Sequence, residues 1–371
     1  MLFSCRPAAA ARSNAISIKR SRAPHRRFTV DIHCHVHTPE ADALVKPAMS
    51  PANELMATFS NDATRLVNRQ QTETVWPKLT SVKVRLADMD KMGIDIQAIS
   101  PAPFQYFYWA EPELGLQSAR LVNDNIAEIV GRHPDRFVGL GTVPLQAPEL
   151  AVAELERMVK QLGLRGVEIC TNVAGAELSE ARFRKFFAKA EELDVVIFMH
   201  PGGFTQGQRL SDHYFINVIG NPLDSTVAVS HLIFGGVLDA YPKLKIVVAH
   251  GGGYLPAYSG RMDHAHGARS DCRRCIAKKP TSYLKKLYFD TIVFTDDQLE
   301  YLVKRWGSDH ILLGTDYPYD MGMYDPVAFV DSARKLTRDE RTRIVGANAA
   351  RLLKIRPRAA APAAKKRRVK R

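Results

Sequence analysis

A (β/α)₈ TIM barrel with lid insertions at its C-terminal face is the fold class this sequence predicts, and three observations predict it. Eight short apolar segments rich in β-branched residues recur through the chain. Helix-length stretches separate them, as in parallel sheets covered on both faces. Polar residues fit for chemistry fall at the C-terminal ends of these segments, where barrels build their sites.

In order, the expected strands are 28–33, 94–100, 137–143, 166–170, 195–200, 245–250, 287–291 and 311–315. Residues 151–163 carry Leu155, Met158, Val159 and Leu162 at helical spacing, and further helices are expected at 179–193, 224–241, 297–306 and 326–336. Residues 38–80 and 201–223, containing Pro, Gly or Asn, read as connections able to cover the barrel mouth, and 258–283 as another irregular insertion.

The formal charge of +13 is concentrated at the termini. Residues 1–27 hold seven Arg or Lys and residues 356–371 hold eight, with no acid in either, so residues 28–355 carry −2. The expected organisation is a basic extension over 1–27, a barrel over 28–355 and a basic tail over 356–371. The N-terminal stretch is Arg/Ser-rich like a transit peptide but lacks a continuous apolar core. The tail could touch nucleic acid or serve as a nuclear address; the reading adopted is a solvated, disordered extension without that role. Five cysteines suggest no disulfide framework, and the lone Cys272-Arg273-Arg274-Cys275 lacks a second pair for a zinc knuckle. A reducing, cytoplasmic setting is expected, and no apolar stretch is long enough to span a membrane.

Asp31-Ile32-His33-Cys34-His35 carries the strongest chemical signal. Side chains alternate along a strand, so His33 and His35 project together. His200 ends the fifth expected strand, His250 the sixth, and Asp316 follows the eighth. Three imidazoles and a carboxylate (His33, His35, His200 and Asp316) suit one divalent ion, with zinc first and manganese the alternative. His250, followed by Gly251-Gly252-Gly253, suits a general acid or base near neutral pH, with a fifth ligand as the alternative. His37 is read as a non-ligand.

These segments, with Leu313-Gly314-Thr315-Asp316-Tyr317-Pro318, Arg136–Pro148 and Gly346-Ala347-Asn348-Ala349, resemble the amidohydrolase superfamily. The resemblance spans residues 29–353 and is closest to the branch of 2-amino-3-carboxymuconate-6-semialdehyde decarboxylase and aromatic-acid decarboxylases. It implies a distorted (β/α)₈ barrel and a metal-dependent, non-oxidative carboxy-lyase for an aromatic or conjugated carboxylic acid, without an organic cofactor. His250 would be the acid/base residue, and Asp316 would serve both the metal and catalysis. The alternative on this scaffold is a hydrolase or hydratase acting on a lactone, amide or enol acid. Arg261 matches a family arginine that reaches a neighbouring subunit's site, so a homodimer is expected. A second family arginine corresponds to Arg65 or Arg69. Gly202-Gly203 and His213–Asn217 depart from the tryptophans of the namesake enzyme, which implies another planar acid. Phe215 and Trp109, with Phe104, Tyr106 and Tyr108, are candidate aromatic walls.

Overall fold

The computed structural model describes residues 27–355, so the basic segments 1–26 and 356–371 lie outside the described residues. All eight expected strands form: β1 (Val30–Val36), β2 (Ile96–Pro101), β3 (Phe137–Gly141), β4 (Gly166–Ile169), β5 (Val196–Met199), β6 (Lys245–Val248), β7 (Tyr288–Asp290) and β8 (Ile311–Leu312). Each pairs in parallel with its sequence neighbour. The sheet closes where Ile32 N–H donates to Leu313 at 2.9 Å and His35 N–H to Tyr317 at 2.8 Å. A short antiparallel hairpin, Asn172–Val173 with Ala176–Glu177, follows β4.

Two apolar layers hold the barrel. Val30, Ile32, Ala98, Leu140, Phe198, Val247 and Leu312 fill its interior, continuous with Ala349, Leu352 and Leu353 of the C-terminal helix. Ile99, Val167, Ile197, Met199, Ile246 and Val248 point outward to Met89, Val122, Leu155, Phe186 and Leu232 of the surrounding helices. Asn348 fastens the C-terminal helix, donating to the Ser308 and Ile311 carbonyls at 2.7 and 2.9 Å.

Several connections differ from expectation. Residues 38–80 are largely helical, with helices Pro39–Val45, Leu55–Thr58 and the 19-residue Asp62–Thr80. That last helix buries only Thr64, Val75 and Leu79, so it lacks the broad apolar stripe that marks a helix in sequence. Residues 258–283 are not an irregular insertion throughout, because helix Leu255–Ala268 runs into them. The single helix expected at 224–241 is two, Asn221–Phe234 and Val237–Ala240. They break at Gly236, whose φ of +74° is left-handed and whose absent Cβ leaves room for the Cys275 carbonyl.

Candidate metal centre

The first strand aims its histidines through an irregularity. Pairing steps from Asp31 opposite Gln97 to Cys34 opposite Ile99, so Ile32 and His33 face one residue of β2. Before this bulge Val30 and Ile32 point into the barrel; after it Cys34 and Val36 point outward. Simple alternation would have sent His33 and His35 outward with Asp31. The extra residue turns both into the barrel, as bulges re-aim side chains beside active sites.

His33, His200, His250 and Asp316 each offer one ligand atom, all within 4.8 Å of one another. His35 joins them through Asp316, whose Oδ1 lies 3.4 Å from both His33 Nε2 and His35 Nε2. Asp316 Oδ2 lies 3.7 Å from His250 Nε2. The His200 ring centroid is 5.0, 4.9 and 4.9 Å from those of His33, His35 and His250. The structure thus gathers all five sequence-predicted residues. They differ in depth: the side chains of His33 and His35 are fully buried, whereas His250 is 14% exposed.

The donor chemistry fits a divalent cation. His33 Nδ1 bonds Asp290 at 2.6 Å and His35 Nδ1 bonds the Pro101 carbonyl at 2.9 Å. Both bonds leave Nε2 for a metal, the usual means of fixing a ligand's tautomer. His33 Nε2, His35 Nε2, both His200 ring nitrogens and Asp316 Oδ1 are buried without a hydrogen-bond partner among the described residues. Unsatisfied buried polar atoms are costly, and a shared cation would satisfy several of these at once. The buried carboxylates Asp290 and Asp316 call for positive charge in the site. Burial opposes charge on His33, but Asp316 and Asp290 outweigh it and raise its pKa to about 10. Burial and the neighbouring histidines push His200 well down, towards the neutral form that binds metals. Burial acts to raise Asp316, yet His33 and the other imidazoles hold it well below the usual carboxylate range.

Sequence reasoning missed the supporting residues. Asp290, at the end of β7, accepts the His250, Gly251 and Ile292 amides at 3.0, 2.8 and 3.1 Å, besides bonding His33. Gly314 leaves the necessary space, since a Cβ there would stand 3.0 Å from those of both His33 and Asp290. Behind β1, Asp31 accepts from Gln97 Nε2 at 2.9 Å and Thr315 Oγ1 at 2.6 Å. Arg85, buried on helix Val82–Met92, donates to Gln97 at 3.0 Å and to the His35 carbonyl, and stacks over Tyr317 at 4.8 Å. A lone Asp near a strand end, or an Arg on an amphipathic helix, carries no distinctive sequence signal.

His250 and Asp316 both have left-handed backbones, with φ of +56° and +55°. Such strain in non-glycine residues is costly and collects at functional sites. The triple glycine makes the His250 turn possible. Cβ atoms at Gly251, Gly252 and Gly253 would meet Val293, Phe289 and the Pro222 carbonyl at 2.3, 2.5 and 2.2 Å.

A cavity of about 360 Å³ opens onto His250 and Asp316, with Tyr254, Phe294, Tyr301, Asn217 and Gln298 among its lining. Arg261, Phe215 and Trp109 are not in that lining. Arg261 is exposed on helix Leu255–Ala268, Phe215 stands against His213 at 5.3 Å, and Trp109 packs on Phe107 at 6.0 Å. Tyr106 and Tyr108 are buried, while Phe104 is exposed. His37 faces Asp42 at 2.9 Å and lies outside the donor cluster.

Comparisons with known proteins agree with this geometry. The chain is 34% identical over 275 residues to 2-amino-3-carboxymuconate-6-semialdehyde decarboxylase of Dictyostelium discoideum, covering 74% of this chain and 77% of the relative. It is 29% identical over 300 residues to gamma-resorcylate decarboxylase of Polaromonas sp., covering 76% and 91%. Among solved structures, 5-carboxyvanillate decarboxylase of Sphingomonas paucimobilis superposes with a TM-score of 0.79 at 25% identity, covering 89% of this chain and all of that one. Dihydroxybenzoic acid decarboxylase of Polaromonas sp. JS666, solved with manganese and 2-nitroresorcinol, gives 0.74 at 26% identity, covering 89% and 98%. The amidohydrolase family model matches residues 30–355. A parallel barrel, a strand-end His/Asp cluster and a match over the whole folded body lead to one conclusion: this chain belongs to the amidohydrolase family.

Proposed function

We propose that this protein is a metal-dependent carboxy-lyase that removes CO₂ non-oxidatively from an aromatic or conjugated carboxylic acid. The observation that carries the reading is the meeting of the buried His/Asp cluster with an aromatic-walled cavity that opens onto His250. His33, His35, His200 and Asp316 would hold one divalent ion. The donor set suits zinc, and manganese is the ion in the related Polaromonas structure. When bound, the ion orients the carboxylate side of the substrate and stabilises developing negative charge.

The remaining chemistry falls to side chains. His250, the most exposed of the clustered histidines, faces the cavity and donates a proton to the ring carbon bearing the carboxylate. The bond from that carbon to the carboxylate then breaks, its electron pair returns to the conjugated system, and CO₂ departs. Solvent restores the proton to His250. Tyr254, Phe294 and Tyr301 offer planar walls, and Asn217 and Gln298 offer hydrogen bonds to ring substituents.

The reading includes a homodimer. Arg261 is exposed and does not line the cavity of its own chain, so its use on a carboxylate calls for a second subunit. Residues 28–355 would form the catalytic body, with 1–27 and 356–371 as extensions that take no part in turnover or nucleic-acid contact. The four described cysteines are free, which accords with a cytoplasmic protein, and no described helix is long and apolar enough to cross a membrane.

The test is CO₂ release. Metal-loaded protein incubated with a panel of hydroxybenzoates and conjugated acids should liberate CO₂ from at least one. The rival is a hydratase, supported by 26% identity over 252 residues to 2-keto-4-carboxy-3-hexenedioate hydratase of Sphingobium sp.. Turnover of enol acids or alkenes, with no CO₂ from any acid, would establish that rival.

A further inference from the structure

Asp290 joins two parts of the site that arise from distant segments. Its side chain is fully buried at the end of β7. One oxygen, Oδ2, stands 2.6 Å from His33 Nδ1 and accepts the His250 amide at 3.0 Å. The other, Oδ1, accepts the Gly251 and Ile292 amides at 2.8 and 3.1 Å. The carboxylate therefore grips a β1 histidine and the left-handed turn that carries His250. Three backbone N–H groups donate to its two oxygens, so both serve as acceptors, the arrangement a carboxylate satisfies.

We infer that Asp290 is a positioning residue that fixes the His33 tautomer for metal binding and sets the backbone at His250 for proton transfer. Its acceptor-only character is the essential property. A carboxylate requires a proton on His33 Nδ1, leaving Nε2 free towards the cluster. An amide of the same size can present N–H to Nδ1, which moves the ring proton to Nε2 and blocks that donor. This inference rests on the metal-site reading above, but its main readout is independent of the reaction catalysed.

The experiment compares wild-type protein with Asp290→Asn, both stripped and then titrated with Zn²⁺ or Mn²⁺ against a chelating dye. Wild type should bind one ion, and Asp290→Asn should bind it about 10- to 100-fold more weakly, as when other outer-shell partners are changed. At saturating metal, kcat should fall while KM stays within about twofold, a split expected when chemistry rather than binding is disturbed. Equal metal affinity in a folded Asp290→Asn protein would overturn the inference. A wild type that binds no ion would overturn both the metal-site reading and this inference. Should Asp290→Asn not fold, ¹⁵N-histidine spectra of the zinc-loaded wild type decide, with His33 assigned by its loss in His33→Asn. A protonated Nδ1 supports the inference, and a bare Nδ1 overturns it.

Discussion

Asp316 illustrates how much one side chain does here: Oδ1 lies 3.4 Å from two histidines and Oδ2 lies 3.7 Å from a third. Its replacement by Ala should cost both stoichiometric metal, read by elemental analysis, and turnover. His250→Ala should separate the two. Its metal content should match wild type while turnover falls about 10²- to 10⁴-fold, the usual contribution of a general acid. Loss of metal in His250→Ala would make His250 a ligand, a role its place in the compact donor set also allows. At this scale the candidate ligands were legible in sequence because a His-x-His pair, further strand-end histidines and Gly-Thr-Asp occur together. Asp290, Arg85 and Thr315 were not, because their contribution lies in contacts between residues far apart in the chain.

Among the elements, helix Asn221–Phe234 carries a testable pH dependence. Asp224 in its first turn is buried, bonded to Thr171 and to Asn172 Nδ2 at 3.1 Å, and burial raises its pKa to about 6. A carboxyl with a raised folded pKa favours folding when protonated. Its contribution is therefore complete below the unfolded value of 3.8 and is lost as pH rises through about 6. The shift amounts to about 3 kcal/mol as an order of magnitude. Asp224→Asn should remove this part of the slope in urea midpoints between pH 4 and 6.5; an unchanged slope would contradict the assignment. The eight strands were legible because continuous burial leaves continuous apolar runs. Helix Asp62–Thr80 was not, since most of its length faces solvent and leaves little periodicity to read. The break at Gly236 falls at a Gly235-Gly236 pair that the sequence does show, and its left-handed φ of +74° suits glycine.

For the whole molecule, the barrel brings its polar residues to one end, while the proposed dimer would decide whether Arg261 takes part. A subunit-mixing experiment tests that arrangement. His250→Ala and Arg261→Ala proteins should each be impaired, yet after subunit exchange the mixture should regain activity. A hybrid dimer would hold one site with an intact His250 and an intact Arg261 from the other chain. No recovery despite demonstrated exchange would place Arg261 outside the neighbouring site. The fold class was legible from the eight-fold rhythm, but the cavity walls were not. Tyr254, Phe294 and Tyr301 come from connections whose course only the closed barrel sets.

The irregular pairing between Asp31 and Cys34 has a consequence for how the first strand tolerates change. Substitution and length act there on different properties. Many apolar replacements at Val30 or Ile32 would alter packing by a methylene or two. Removing Ile32 would let the strand pair regularly with both imidazoles still facing the lumen, whereas removing Cys34 leaves no register in which both do. The gene should therefore accept apolar changes at Val30 or Ile32 far more readily than loss of the Cys34 codon. A deep mutational scan that includes single-codon deletions would register the difference as an abrupt loss of bound metal in protein that still folds.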